Sequence, residues 1–292
     1  MVVQQISFDT PHFFRRAARA ALGLGGAILW LNAAAGLAAS RRLYNNPESI
    51  VFDARHHRYL VSNKGDGKII ALTAGGVKKV FNTDRRSCRG LHIVGNRLYA
   101  ACDAGVGVID LDSGRTVGVI EIPGRRFPND LDDDRNGNLY LTDTGANRIF
   151  RIRLRDHAVS VFVRKGISHP NGILFDPKGR RFLVCSWESH PRIWAVRLAD
   201  GAVKTLVKPA FGHLDGLAAD AAGRIYVSSG STGKIYRYDP AFRQSPVVVS
   251  RGHGAPADIY INQQENLLVI PNFGSHSVSF VPLAATGRKR RP

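Results

Sequence analysis

Six positions recur along the chain at intervals of 41, 40, 42, 44 and 42 residues: Glu48, Arg89, Asn129, Asn171, Asp215 and Ala257. Four of them, Glu48, Asn129, Asn171 and Asp215, offer oxygen donors from side chains that suit a cation. Carboxylates and amide carbonyls are what a hard divalent ion requires, Ca2+ first and Mn2+ or Zn2+ as alternatives, with water completing the shell. Two carboxylates also neutralise a dication, and without one Glu48 and Asp215 would repel each other in an enclosed site. Taken singly, an Asn or Asp at the start of a strand is a turn residue; four in one period read as a single metal site. Asp130 and Asp258 stand one place after Asn129 and Ala257, and either join that site or cap turns. Arg89 offers a guanidinium to a substrate carboxylate or phosphate, or else pairs structurally with Asp130 or Asp258. His169 and His213 each precede a candidate ligand by two residues, and His253 lies just before Ala257. An imidazole titrates near neutrality, so any of the three is a candidate catalytic base, or simply an exposed loop residue. No Gly-x-Ser-x-Gly elbow is present, which argues against a serine hydrolase.

Residues so far apart in sequence meet only if the chain returns repeatedly to one place, and the rest of the sequence repeats accordingly. The first unit reads PESIVFD, RYLVSN, GKIIALT, VKKVF; the third PNDLDDD, NLYLTDT, NRIFRIRL, AVSVFV; the fourth PNGILFD, RFLVCSW, PRIWAVRL, AVKTLV; the fifth LDGLAAD, RIYVSSG, GKIYRYD, SPVVVS. The second and sixth are more worn. A period near 42 with four short strands per unit is the signature of propeller blades. Asp134, Asp176 and Asp220 each precede a glycine by three residues (Gly137, Gly179, Gly223), the chemistry of a tight turn between a blade's first and second strands. The expected fold is therefore all-β, a six-bladed propeller of four-stranded blades over residues 40–287. The six recurring positions then converge at one mouth of the central channel. The sixth unit supplies only three strands, so an N-terminal strand is expected to close the ring, with Ser40–Tyr44 as the candidate.

PESIVFD, PNDLDDDRNGNLYLTD, HPNGILFDPKGRRFLV and LDGLAADAAGRIYVSS resemble the senescence-marker-protein/gluconolactonase family of six-bladed propellers, over essentially residues 46–283. The resemblance implies a divalent metal, usually calcium, held by residues matching Glu48, Asn171 and Asp215, with Asn129 touching metal or substrate. It implies hydrolysis of a lactone or related ester, Asp215 matching the residue often assigned as general base. The sugar-lactone members carry an Arg two places before the residue matching Asn129, where this chain has Phe127, and similar paraoxonase-like propellers carry a His at the place of Arg89. The alternative reading is a non-catalytic propeller that binds a small molecule, glycan or protein at the same mouth; a lyase similar to strictosidine synthase is a third.

The ends of the chain differ from the repeats. Arg15, Arg16 and Arg19 precede twenty uncharged residues, Ala20 to Ala39, rich in Ala, Gly and Leu. Residues 1–39 read as a secretory signal or, if uncleaved, as a membrane anchor through residues 15–39, which places the propeller in the periplasm or outside the cell. Residues 288–292 form a basic tail. The chain of 292 residues is 44% apolar and 22% charged, which excludes disorder, and carries a net charge of +18. That charge is dispersed over strands and turns without a recognition helix, which argues against nucleic acid as a partner and leaves a small molecule. Three cysteines exclude a disulfide scaffold. With Gly95-Asn96 as a hairpin turn, Arg89 should face Cys102 and leave Cys88 one register away; a disulfide is possible in an oxidising compartment but this pairing does not favour it, so free, half-buried thiols are expected.

Overall fold

The computed structural model describes residues 6–7, 43–83 and 87–283. They form six four-stranded antiparallel sheets, and no helix among them is long and apolar enough to cross a membrane. The innermost strands are Pro47–Asp53, Leu91–Val94, Pro128–Asp133, Pro170–Asp176, Leu214–Ala219 and Tyr260–Asn262. Each pairs with a second strand: Arg58–Asn63, Arg97–Cys102, Asn138–Asp143, Arg181–Ser186, Ile225–Ser229 and Leu267–Asn272. The second strands are buried on both faces because each blade is covered by a neighbour on either side. Six apolar clusters result, one at each blade junction. Between blades 3 and 4, for instance, Tyr140 packs its ring against Phe182 and Phe162.

The expected turns form as read. Asp220 Oδ1 accepts the N–H groups of Ala222 and Arg224, and its carbonyl accepts from Gly223, whose φ of +78° suits glycine. The Asp134 turn uses the same device.

The ring is closed by an N-terminal strand, but not by the expected one. Ile6–Ser7 pairs antiparallel with the outer strand Ser277–Pro282, Ile6 opposite Phe280 and Ser7 opposite Ser279. Of the candidate segment Ser40–Tyr44, residues 40–42 lie outside the described residues, and Leu43 and Tyr44 pair with no strand. Tyr44 is instead buried among Ile50, Tyr59, Val278 and Phe280, where its ring fills the junction of blades 1 and 6. An aromatic wedge serves there where edge pairing was expected. The rest of the leader reading (1–5 and 8–39) and the basic tail (288–292) lie outside the described residues.

Every blade whose first strand is long enough carries a bulge at its second and third residues. Pro47 faces Asn63 but Ile50 faces Val61, so Glu48 and Ser49 both stand opposite Ser62. The same slip sets Asn129-Asp130 against Thr142, Asn171-Gly172 against Cys185, and Asp215-Gly216 against Ser228. In blade 2 the Arg89 N–H donates to Ala101 O while the Ala101 N–H donates to Gly90 O, the hydrogen bonding of the same bulge. That extra residue brings Cys88 opposite Cys102, and the two form a disulfide. The expectation of free thiols was wrong because a straight hairpin register was continued through a bulge. Cys185 is free and fully buried.

The bulges are fastened to one another by a repeated hydroxyl. Ser62 Oγ accepts the Ser49 N–H and donates to Arg89 O in the next blade. Thr142 Oγ1 accepts the Asp130 N–H and donates to Asn171 O. Ser228 Oγ accepts from Gly216 and donates to Ala257 O, and the Cys185 thiol donates to Asp215 O. At Gly172 and Gly216 the neighbouring blade leaves no room for a side chain. A Cβ on Gly172 would overlap the Asp215 carbonyl, and one on Gly216 would overlap the Asp258–Ile259 backbone.

Candidate active site

Five of the six recurring positions are the first residues of these bulges and Ala257 holds the matching place in blade 6, and each is buried: Glu48, Arg89, Asn129, Asn171, Asp215 and Ala257. A left-handed residue two places earlier turns the chain into five of them: Asn46, Ser87, His169, His213 and Ala255, with φ between 43° and 52°. Past the bulges the channel opens into a cavity of about 210 Å3 walled by Ile50, Leu91, Leu131, Ile173, Leu217 and Ile259, with Asp130 and Asp258 at its edge. The recurring residues therefore cap one end of the channel.

Their electrostatics are those of crowded anions. Burial first, then the charge of Asp215, pushes the Glu48 carboxyl well above its usual range, with Arg89 opposing. Burial and the charge of Asp130 push Asp215 up to about 8, opposed by a hydrogen bond from Asn171 and by Lys64. Asp215 Oδ1 is buried without a hydrogen-bond partner. Asn129 donates its amide hydrogen to Thr144 Oγ1 at 2.8 Å, and Asn171 donates to Leu214 O at 3.4 Å. Each amide thus commits one N–H to the scaffold, and its carbonyl oxygen is the group that suits a cation.

Asp130 and Asp258 act as braces between blades. Asp130 accepts the Leu131 and Ile173 N–H groups at 2.8 and 2.9 Å, and Asp258 accepts the Ser49 hydroxyl at 2.6 Å. Neither pairs with Arg89, contrary to the structural alternative considered for that residue. The Arg89 guanidinium donates to Asp103 at 2.7 Å and to Pro128 O at 3.0 Å, and it lies 3.7 Å from the centre of the Phe127 ring. Its Nε is buried without a partner.

The histidines divide. His169 lies on the rim, 55% exposed at the side chain, with Nδ1 3.0 Å from Glu188 Oε1. Ser168 Oγ also contacts Glu188 and approaches the same His169 nitrogen, so Nε2 remains open. The His213 ring packs at 5.1 Å and a tilt of 57° against Trp187, a rim indole 39% exposed. His253 is buried, with Nε2 on Ser250 and Nδ1 on Asn272, and its role is structural. Sequence reading missed the cluster of His92, Asp132 and Asp133 at the far end of the channel. His92 Nε2 meets Asp133 at 2.9 Å, and Asp132 accepts the Phe175 and Asp133 N–H groups. The three satisfy one another.

The sequence profile of the SMP-30/gluconolactonase/LRE-like region matches residues 46–250, which span five of the six blades and all four candidate oxygen ligands. The chain belongs to this family. Among solved structures, a gluconolactonase from Xanthomonas campestris superposes on this family member with a TM-score of 0.70 at 20% identity, covering 83% of this chain and 88% of the other. A protein of unknown function from Bacteroides thetaiotaomicron gives 0.68 at 13% identity, with coverages of 82% and 70%. The nidogen/laminin complex gives 0.63 at 17% identity, with coverages of 77% and 93%. At these identities the likeness establishes the shared propeller. No curated protein matches this SMP-30/gluconolactonase-like chain.

Proposed function

We propose that the protein hydrolyses a lactone or a related ester at the mouth capped by Glu48, Asn129, Asn171 and Asp215. The observation that carries this reading is the buried, unpartnered Asp215 Oδ1 beside a second buried carboxylate, Glu48, whose pKa its charge raises. Family membership and the likeness to a gluconolactonase support the lactone class. Two carboxylates and two amide carbonyls fit a divalent cation, calcium before Mn2+ or Zn2+, held by Glu48, Asn171 and Asp215 with Asn129 beside them. Such an ion would supply Lewis-acid polarisation of the substrate carbonyl and neutralise the paired carboxylates.

The chain's own residues supply the proton traffic. Hydrolysis needs water to attack the carbonyl carbon, a proton to leave that water, and a proton to reach the alkoxide oxygen as its C–O bond breaks. Asp215, a buried carboxylate whose Oδ1 has no hydrogen-bond partner, takes the first proton. His169, with Nδ1 engaged by Glu188 and Nε2 open on the rim, can deliver the second. The Asn129 carboxamide, anchored on Thr144, holds the substrate in line, and the product is the open hydroxy acid. His213, packed against Trp187, walls the mouth.

The test is a panel of lactones and aryl esters assayed with calcium, manganese and zinc on the protein and on Asp215→Ala and Asn171→Ala. Metal-dependent turnover abolished by both substitutions is expected. Metal binding without turnover on any substrate would favour a non-catalytic propeller that binds a small molecule, glycan or protein at this mouth. Phe127, in place of the arginine of sugar-lactone members, is the feature that favours that second reading. We also propose that the propeller works in an oxidising compartment, periplasmic or extracellular, which the Cys88–Cys102 disulfide supports.

A further inference from the structure

The residue that follows the second strand in each blade stands on the rim of the mouth, and in blade 1 it is Lys64. Its backbone is fixed on both sides, the N–H donating to Asn46 O and the carbonyl accepting from Ser87 Oγ. Its ammonium makes no ion pair among the described residues. Two aromatic faces hold it instead: Nζ lies 5.9 Å from the centre of Phe127 and 5.4 Å from that of Phe273. Phe127 is also the ring on which Arg89 lies, so one phenyl group gathers two cations at the blade 1–2 side of the mouth. Aromatic faces position a cation without cancelling its charge, as a carboxylate partner would. Arg89 is partly neutralised by Asp103, but its Nε–H is buried and unused. Two held cations and a buried, unspent donor form a receptor for an anion.

We propose that Lys64 and Arg89, seated on Phe127, bind a carboxylate on the substrate, so that the lactone opened here carries a free acid group beside its reacting carbonyl. The substrate class rests on the hydrolase reading, whereas the anion site does not. The site also explains why the mouth is built from opposite charges. Carboxylates Glu48 and Asp215 stand at its centre, and the cations stand to one side, where they hold the part of the substrate that does not react.

The experiment compares 5-oxotetrahydrofuran-2-carboxylate with its neutral carboxamide, on the protein with calcium and on Lys64→Met and Lys64→Arg. A charge-assisted hydrogen bond in a partly buried site should favour the carboxylate by about 10- to 100-fold in kcat/KM. Lys64→Met should bring that ratio towards one, and Lys64→Arg should keep most of it. A ratio near one in the parent protein overturns the proposal. So does a ratio that survives in Lys64→Met, which is the result expected if Lys64 only tempers the charge of Asp215. If neither lactone is turned over, the hydrolase reading fails, and calorimetric titration of the same two compounds decides the anion site alone. Tighter binding of the carboxylate, lost in Lys64→Met, sustains the site; equal binding removes it.

Discussion

Metal-free protein should lose stability as the pH rises from 5 to 7, and Asp215 should account for a defined share of the loss. Burial and the neighbouring Asp130 hold the folded-state pKa of Asp215 at about 8, whereas an unfolded aspartate titrates near 4. Between those values the folded state keeps a proton that the unfolded state has released, so stability falls with rising pH by about 1.4 kcal/mol per unit for that proton. Across two units the share is roughly 3 kcal/mol, or about 6–12 °C in Tm for a domain of this size. The fall ends above the folded pKa, where both states are ionised. His92 adds a slope of the same sign: burial opposes its charge, but Asp133 and Asp132 outweigh that and raise its pKa. Asp215→Asn removes this titrating group, and with it the charge that raises Glu48, while leaving His92 in place. The assay is a set of thermal melts at pH 5, 6, 7 and 8 with a chelator, repeated with millimolar calcium. Chelated parent protein should show a slope that Asp215→Asn visibly flattens, and calcium should flatten it too by keeping the carboxylates ionised in the folded state. A chelated melting curve as flat in the parent as in the variant would refute the reasoning.

Other expectations follow from the packing. Thr142→Val leaves the Asp130 N–H and the Asn171 carbonyl without their shared hydroxyl, and should cost about 1–3 kcal/mol in urea melts. Replacing Cys88 and Cys102 together by alanine opens a cross-link between residues 14 apart, and should cost about 3 kcal/mol. Thiol titration of the native parent should find no reactive cysteine, and after unfolding without reductant one, Cys185. Gly216→Ala places a methyl group against the backbone of Asp258 and Ile259, and should cost about 3 kcal/mol, read as a lowered urea midpoint.

How far the molecule was legible depends on what leaves a mark in composition. The propeller was, because each strand must alternate between two neighbours and each turn needs its Asp and Gly, so the period repeats in residue types. The inner positions Glu48, Asn129, Asn171 and Asp215 were, because they ride on that period. A bulge leaves no such mark: it shifts register by one residue without asking for a particular side chain, and the Cys88–Cys102 bond was misjudged for that reason. The true partner of Arg89 is Asp103, which follows the second strand of the same blade and is brought beside it by the bulged hairpin that the straight register missed. Lys64 and Phe273 share a repeat position, the residue after the second strand, but Phe127 does not and all three come from different blades, so only the folded ring places them together. Ile6–Ser7 was hidden in a segment read wholly as a leader.

The hydroxyls of Ser62, Thr142 and Ser228, with the Cys185 thiol, couple four of the six blades to the position of the next blade's inner residue, and backbone bonds from Gly90 to Asn129 and from Asp258 to Glu48 complete the circuit. The ring behaves accordingly like a train of meshed gears. A substitution that rotates one blade is transmitted to its neighbour, so the inner residues keep phase only together. Blades exchanged between homologues would arrive with their side chains intact and their timing lost.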